Sequence, residues 1–319
     1  MGKNNILIII LVIFILAIAG FIIADFFSNN NEHKNVYEYS LDDFKNNDPD
    51  NVSYVETISI PVNLEKLKGI TIDSDNNIFV SGQDHIYKYN ISGQLLLDIL
   101  TDTKAGPLEV NNNKIYHGAR DHLRIYNTNG ELLETWNPEN EKSIITSIAV
   151  LDTNVYIADA VARMVYHYND NGVLKNQIGE KEKSPDKKGF IIPSPYFDIK
   201  IGREDELWVV NPGRHRLESY SKEGEFNYSW NKTSMGLDGF SGCCNPTHIA
   251  LLDDGAFVTS EKGLIRVKIH EPNGDFRTLI ADESSFDKGT TGLDIAVDNN
   301  GRILILDPTR SQVRIFEKK

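Results

Sequence analysis

Cysteine is almost absent. The 319 residues hold two, Cys243 and Cys244, and these are adjacent. A framework of several disulfides and the multi-cysteine zinc sites are therefore excluded. Basic residues are also in deficit, with 33 Lys and Arg against 46 Asp and Glu, a net charge of −13. An acidic shell repels phosphate backbones, which argues against nucleic acid as a partner. Beyond the N-terminal segment no amphipathic helical pattern is found. No phosphate-binding loop, cofactor fingerprint or Ser-His-Asp order is present either.

What fills the chain instead is a unit of roughly forty to fifty residues that recurs six times. Its first two strands and their turn read GITIDSDNNIFVSG from Gly69, PLEVNNNKIYHGA from Pro107 and SIAVLDTNVYIAD from Ser147. They return as DIKIGREDELWVVN from Asp198, HIALLDDGAFVTS from His248 and DIAVDNNGRILILD from Asp294. A third alternating segment follows each copy, and most copies add a glycine turn and a fourth run, such as NGELLETW or EGEFNYSW. Repeats of this length made only of strands and turns predict blades around an axis, an all-β propeller. The last copy has three strands, whereas YVETISIPV, from Tyr54, belongs to no copy. Placed as the outer strand of the last blade, it closes the ring and yields six complete blades.

The N-terminal segment obeys different physics. Residues 6–24 form an apolar run about long enough to cross a hydrocarbon core, preceded by Lys3 and followed by Asp25. The positive-inside rule then leaves residues 1–5 in the cytoplasm and the bulk of the chain outside. Ala17-Ile18-Ala19 has the look of a cleavage site, but the sequence stays apolar beyond it, which favours an uncleaved signal anchor. Residues 25–51, rich in Asn, Asp and Lys, read as a flexible polar stalk, and residues 52–319 as the propeller. The expected location is a single-pass protein of the cell membrane with its propeller on the periplasmic or extracellular side.

Three stretches carry a family resemblance: IAVLDTNVYIADAVARMVYHYNDNG, IKIGREDELWVVNPGRHRLESYSKEG and DIAVDNNGRILILDPTRSQVRIF. Each has a strand, a tight turn, an apolar strand ending in Asp or Asn, a following Arg and an aromatic strand. They resemble NHL repeats, and GEKEKSPDKKGFIIPSP resembles the loop that leads such a blade into the next. The resemblance covers residues from Val52 to the C-terminus and implies a six-bladed propeller. It implies no single activity, because such propellers serve as binding platforms, sensors and enzymes.

In an up-and-down blade the short Asn, Asp and Gly turns share one face and read as structural. The other face collects the longer loops between second and third strands and between blades, so function is expected there and at the channel mouth. Asp198, His248 and Asp294 open the inner strands of three successive copies and are placed to converge on that mouth. Two carboxylates and an imidazole suit a divalent cation, calcium or zinc, or an acid–base pair. The alternative is hydrogen bonding to the neighbouring blade. Arg120, His122, Arg214 and His215 are candidates for gripping an anionic ligand. Arg163 and Arg310 read rather as Asp–Arg bridges.

The segment GLDGFSGCCNPTHIALL, from Gly236, lies on the same face. Its cysteines allow three readings: a strained vicinal disulfide, a soft-metal site with His248, or two small residues packed in a turn. The function expected first is a binding or scaffold module for a protein, peptide or glycan. A metal-dependent lactonase- or lyase-like enzyme is the alternative, as is a redox or metal-handling role for the cysteines.

Overall fold

The computed structural model describes residues 2–28, 49–137, 142–179 and 189–319. In the larger unit, six four-stranded antiparallel sheets follow one another, at residues 67–100, 108–136, 145–178, 199–231, 248–281 and 294–318. These are numbered blades 1 to 6 below. Blades 1 to 5 are each built from four consecutive strands. Blade 6 has three of its own and takes the strand Tyr54–Pro61 as its fourth. That strand runs antiparallel to Gln312–Lys318, with Ile60 opposite Val313 and Tyr54 opposite Lys318. The ring is thus closed by the segment that belongs to no repeat.

Local chemistry explains the regularity. The turns between third and fourth strands place glycine at positive φ, as at Gly93, Gly130 and Gly172. An Asx turn precedes each of them: the side-chain oxygens of Asn90, Asn127 and Asn169 accept the amides two and four residues ahead. The Asn-Ile-Ser triplet at Asn90 is part of this turn. At the other end of the blade, Asp159 and Asp307 close their second strands and cap the loops that follow. Asp159 Oδ1 accepts the amides of Val161 and Ala162, and Asp307 Oδ1 those of Thr309 and Arg310. Arg120 and Arg163, in equivalent loops, take positive φ.

The central strands are buried on both faces, and apolar side chains fill the seams between blades. One cluster joins blade 6 to blade 1 through Ile60, Ile70, Val80, Leu306 and Ile315. Another joins blade 4 to blade 5 through Trp208, Trp230, Ile249, Phe257 and Phe240. At the entry into blade 2 only glycine fits: a Cβ on Gly106 would lie 1.8 Å from the Gly118 carbonyl oxygen.

The smaller unit contains the α-helix Lys3–Ser28, which runs past Ala24, the end of the expected span. Its side chains are described without a break from residue 9 to 21. Among the described residues no helix is long and apolar enough to cross a membrane, so the expected span receives no support from them. Most of the expected stalk, residues 29–48, lies outside the described residues. So does most of the blade-joining loop, residues 180–188, although Phe190 and Ile192 beyond it are buried against blade 4.

Ile60 is 2% exposed in the closing strand. Ile60→Ala is expected to cost about 2–5 kcal/mol by removing buried methyl groups at the closure. A urea denaturation midpoint unchanged from wild type would contradict that placement.

Candidate functional site

The inner strands bring Asp198, His248 and Asp294 together at the loop-rich end of the channel. His248 Nδ1 lies 3.4 Å from Asp294 Oδ1 and 3.8 Å from Asp198 Oδ2. The convergence expected from the strand openings is therefore present. Both carboxylates are also engaged by backbone amides. Asp198 Oδ2 accepts the Ile249 amide of blade 5 at 2.7 Å, while Oδ1 accepts the Ile199 amide and the Ser147 hydroxyl of blade 3. Asp294 Oδ2 accepts the Ile70 amide of blade 1 at 2.9 Å, and Oδ1 accepts its neighbour Ile295. Each acid thus stitches its blade to an adjoining one.

Among the described residues no group of three or more His, Cys, Asp or Glu is placed to hold a metal ion. At Asp198 and Asp294 each of the four carboxylate oxygens accepts one backbone amide. Burial pushes the Asp294 carboxyl up, and the Asp198 charge adds to this against the pull of His248 and Lys200.

Below the mouth the channel is crossed by an ion pair from blades that do not touch in sequence order. Lys200 Nζ of blade 4 stands 3.9 Å from Glu109 Oε2 of blade 2. About a fifth of each side chain is exposed, yet both sit deep in the protein mass. Burial pushes Glu109 up to about 7, against the pull of Lys200. Neither residue was singled out by the sequence, since a contact across the axis leaves no local pattern.

Around the mouth stand Ser194 and Tyr196 from the connection into blade 4, the cysteine loop leading into blade 5, and Lys262 from the turn between the second and third strands of blade 5. Lys262 Nζ donates to Ser194 Oγ at 3.1 Å and lies 4.7 Å from the Tyr196 ring centre, a cation–π contact. Tyr196 meets the His248 ring edge-on at 5.8 Å. Cys243 is exposed and Cys244 buried, both as free thiols, with their sulfurs 3.2 Å apart.

The cysteine loop is held from beneath by buried charge. Glu261, Arg266 and Lys268 are at most 2% exposed. Lys268 Nζ pairs with Glu261 Oε1 at 2.8 Å and donates to the carbonyls of Leu237 and Gly239. Arg266 binds Glu261 Oε2 at 3.0 Å and donates to the carbonyls of Met235 and Gly236. Burial lowers Lys268 to about 8 in spite of its partner. Phe240, fully buried, anchors the loop against Trp230 and His270. His215 ties it from the side, through Thr233 Oγ1 at 3.0 Å and the Gly242 carbonyl. Asn245 completes the hold: its amide donates to the carbonyls of Ser241 and Lys262, and its oxygen accepts the Lys262 amide at 2.9 Å.

The remaining candidates divide. His215 supports the cysteine loop, and Arg214 ends the one-turn helix Pro212–Arg214 just before it. Arg120 and His122 lie in blade 2, where His122 Nδ1 meets Asp121 at 2.8 Å and its Nε2 accepts from Arg124. No contact among the described residues joins them to the mouth. Arg310 bridges to Asp287 at 2.7 Å, as its reading anticipated. On the turn face an open cleft of about 720 Å³ between blades 4 and 5 is lined by Arg203, Glu206, Trp208, Tyr228 and Leu251.

No protein-family model matches the chain, and no curated protein matches it. Solved structures do. Virginiamycin B lyase from Staphylococcus aureus is 12% identical, with a TM-score of 0.58 over 83% of this chain and 100% of the enzyme. A catalytically inactive variant of that lyase, with quinupristin bound, matches equally. A protein of unknown function from Bacteroides thetaiotaomicron is 12% identical, with a TM-score of 0.59 over 87% of this chain and 74% of that one. The WD40 propeller domain of Doa1 follows at 13% identity and a TM-score of 0.53. At these identities the likeness concerns the fold: the chain is a six-bladed β-propeller.

Glu109 carries a pH prediction. Between pH 4.5 and about 7 the unfolded chain releases this proton while the folded protein keeps it, so this group's contribution to stability falls as pH rises through that window. Denaturation midpoints at pH 4.5 and 7.5 should therefore drop more in wild type than in Glu109→Gln. Equal drops would remove the burial assigned to this carboxyl.

Proposed function

We propose that the chain is an extracytoplasmic binding propeller that seats a protein, peptide or glycan on its loop-rich face, at the mouth formed by Tyr196, His248, Lys262 and the cysteine loop. The observation that carries this reading is the engagement of Asp198 and Asp294 by backbone amides. Their lone pairs stitch blades, which leaves an aromatic ring, an ammonium group and an imidazole as the groups facing a ligand. Such a set suits recognition better than metal-assisted hydrolysis. The capped loops at Asp159 and Asp307 support an NHL type of repeat. The apolar run of residues 6–24 in the sequence, preceded by Lys3, supports a membrane anchor with Lys3 on the cytoplasmic side.

A second reading, lyase-like chemistry, is favoured by one arrangement: His248 stands beside Asp294 at an open mouth in a fold shared with a streptogramin B lyase. His248 would then be the base.

Both are tested on the propeller spanning residues 49–319. Glycan and peptide arrays should yield a saturable ligand whose affinity falls about tenfold in Tyr196→Ala or Lys262→Ala. Tyr228→Ala, in the turn-face cleft, should leave it unmoved. Loss through Tyr228→Ala alone, or no saturable ligand, would contradict the binding reading. Consumption of quinupristin that disappears in His248→Ala would put the second reading first.

A further inference from the structure

The cysteine loop is more elaborately held than a packing role requires. Buried Lys268 and Arg266 grip four of its carbonyls, Phe240 anchors it and His215 braces it. Asn245, 1% exposed, fixes the Lys262 backbone to the residue following Cys244. The outcome of this scaffolding is an asymmetric pair of thiols, one exposed and one buried, with sulfurs in contact at 3.2 Å. An ammonium group and a hydroxyl, Lys262 and Ser194, sit on the buried one.

We propose that Cys243 and Cys244 are a redox site that reacts with low-molecular-weight disulfides and closes reversibly to a vicinal disulfide. Cys243, the accessible thiol, loses its proton to solvent and attacks one sulfur of the incoming disulfide, RSSR. A mixed disulfide forms on Cys243 and the first RS⁻ departs. Cys244 then attacks Cys243 Sγ as a thiolate, its proton also passing to solvent, and the second RS⁻ leaves. Both departing thiolates take up protons. The two protein thiols are oxidised by two electrons, and the external disulfide is reduced to two thiols.

The surroundings fit this division of labour. Burial raises the Cys244 thiol, but the Ser194 hydroxyl, the Cys243 thiol and the Lys262 ammonium outweigh it and hold Cys244 below the ordinary range; Ser194 and Lys262 stay beside it once Cys243 carries an adduct. The hydrogen bond with Cys244 and the repulsion between the two sulfurs raise Cys243. The buried sulfur is thus prepared to resolve an adduct that only the exposed one can form. Lys262 joins this site to the mouth, because the same ammonium lies over Tyr196. The inference stands on the loop itself and does not depend on which ligand the mouth takes.

The test uses the reduced propeller, oxidised glutathione and intact-mass spectrometry with thiol counting. Wild type is expected to lose the mass of two hydrogens, lose both alkylatable thiols and remain monomeric. Cys244→Ser should stop at a stable glutathione adduct on Cys243, and Cys243→Ser should resist modification. In Lys262→Met the adduct should persist several-fold longer than in wild type, and Trp230 fluorescence beside Phe240 reports whether each variant keeps its fold. Wild type that stops at the adduct or links into dimers would overturn the proposal. So would Cys243→Ser that is modified as fast as wild type.

Discussion

The structure depends on one pairing, that of Tyr54–Pro61 with Gln312–Lys318. A propeller blade offers each neighbour a flat apolar face, and an incomplete final blade would expose both a sheet edge and a seam. The borrowed strand covers the edge, and Ile60 with Val62 completes the apolar seam between blades 6 and 1. On the channel side, the Asp294 carboxylate reaches the Ile70 amide across the same seam. Residues more than two hundred positions apart are therefore tied at the outer rim and at the axis, and the geometry of every other blade follows from that closure.

The same constraint governs the chemistry at the axis. Inner strands border the channel and have no further strand to pair with, so polar groups there need partners from the next blade. Ser147, Asp198 and Asp294 find them in an adjoining blade, and Ser81 and Ser260, on second strands, bond to the connection into the next blade. The acids at the mouth are consequently committed before any ligand arrives. The groups left with freedom come from loops: Tyr196, Lys262 and the two cysteines. The recognition and thiol chemistry we propose thus rest on loops, and the strands below them hold the ring together.

Much of this was legible in the sequence. Six copies, the missing strand and the closing segment follow from period-two alternation and turn residues, which are local signals. The meeting of Asp198, His248 and Asp294 was also readable, because residues that open inner strands share one end of the channel. Their roles were not, since an amide from the adjoining blade decides what each oxygen is free to do. Lys200 and Glu109 meet across the axis, which no spacing records. Lys268 and Arg266 carry no motif that marks them, and they are buried because the loop at 235–239 folds over them. Arg120 and His122 share loop type with His215 but stand in another blade, so similar motifs did not make one site.

Hydrogen exchange of the propeller tests ring closure most directly. The account predicts that amides of Tyr54–Pro61 that face Gln312–Lys318 exchange as slowly as those of the blade 6 strands, through the same cooperative opening. Exchange of that strand at the rate of an unstructured segment, with blade 6 still protected, would contradict it.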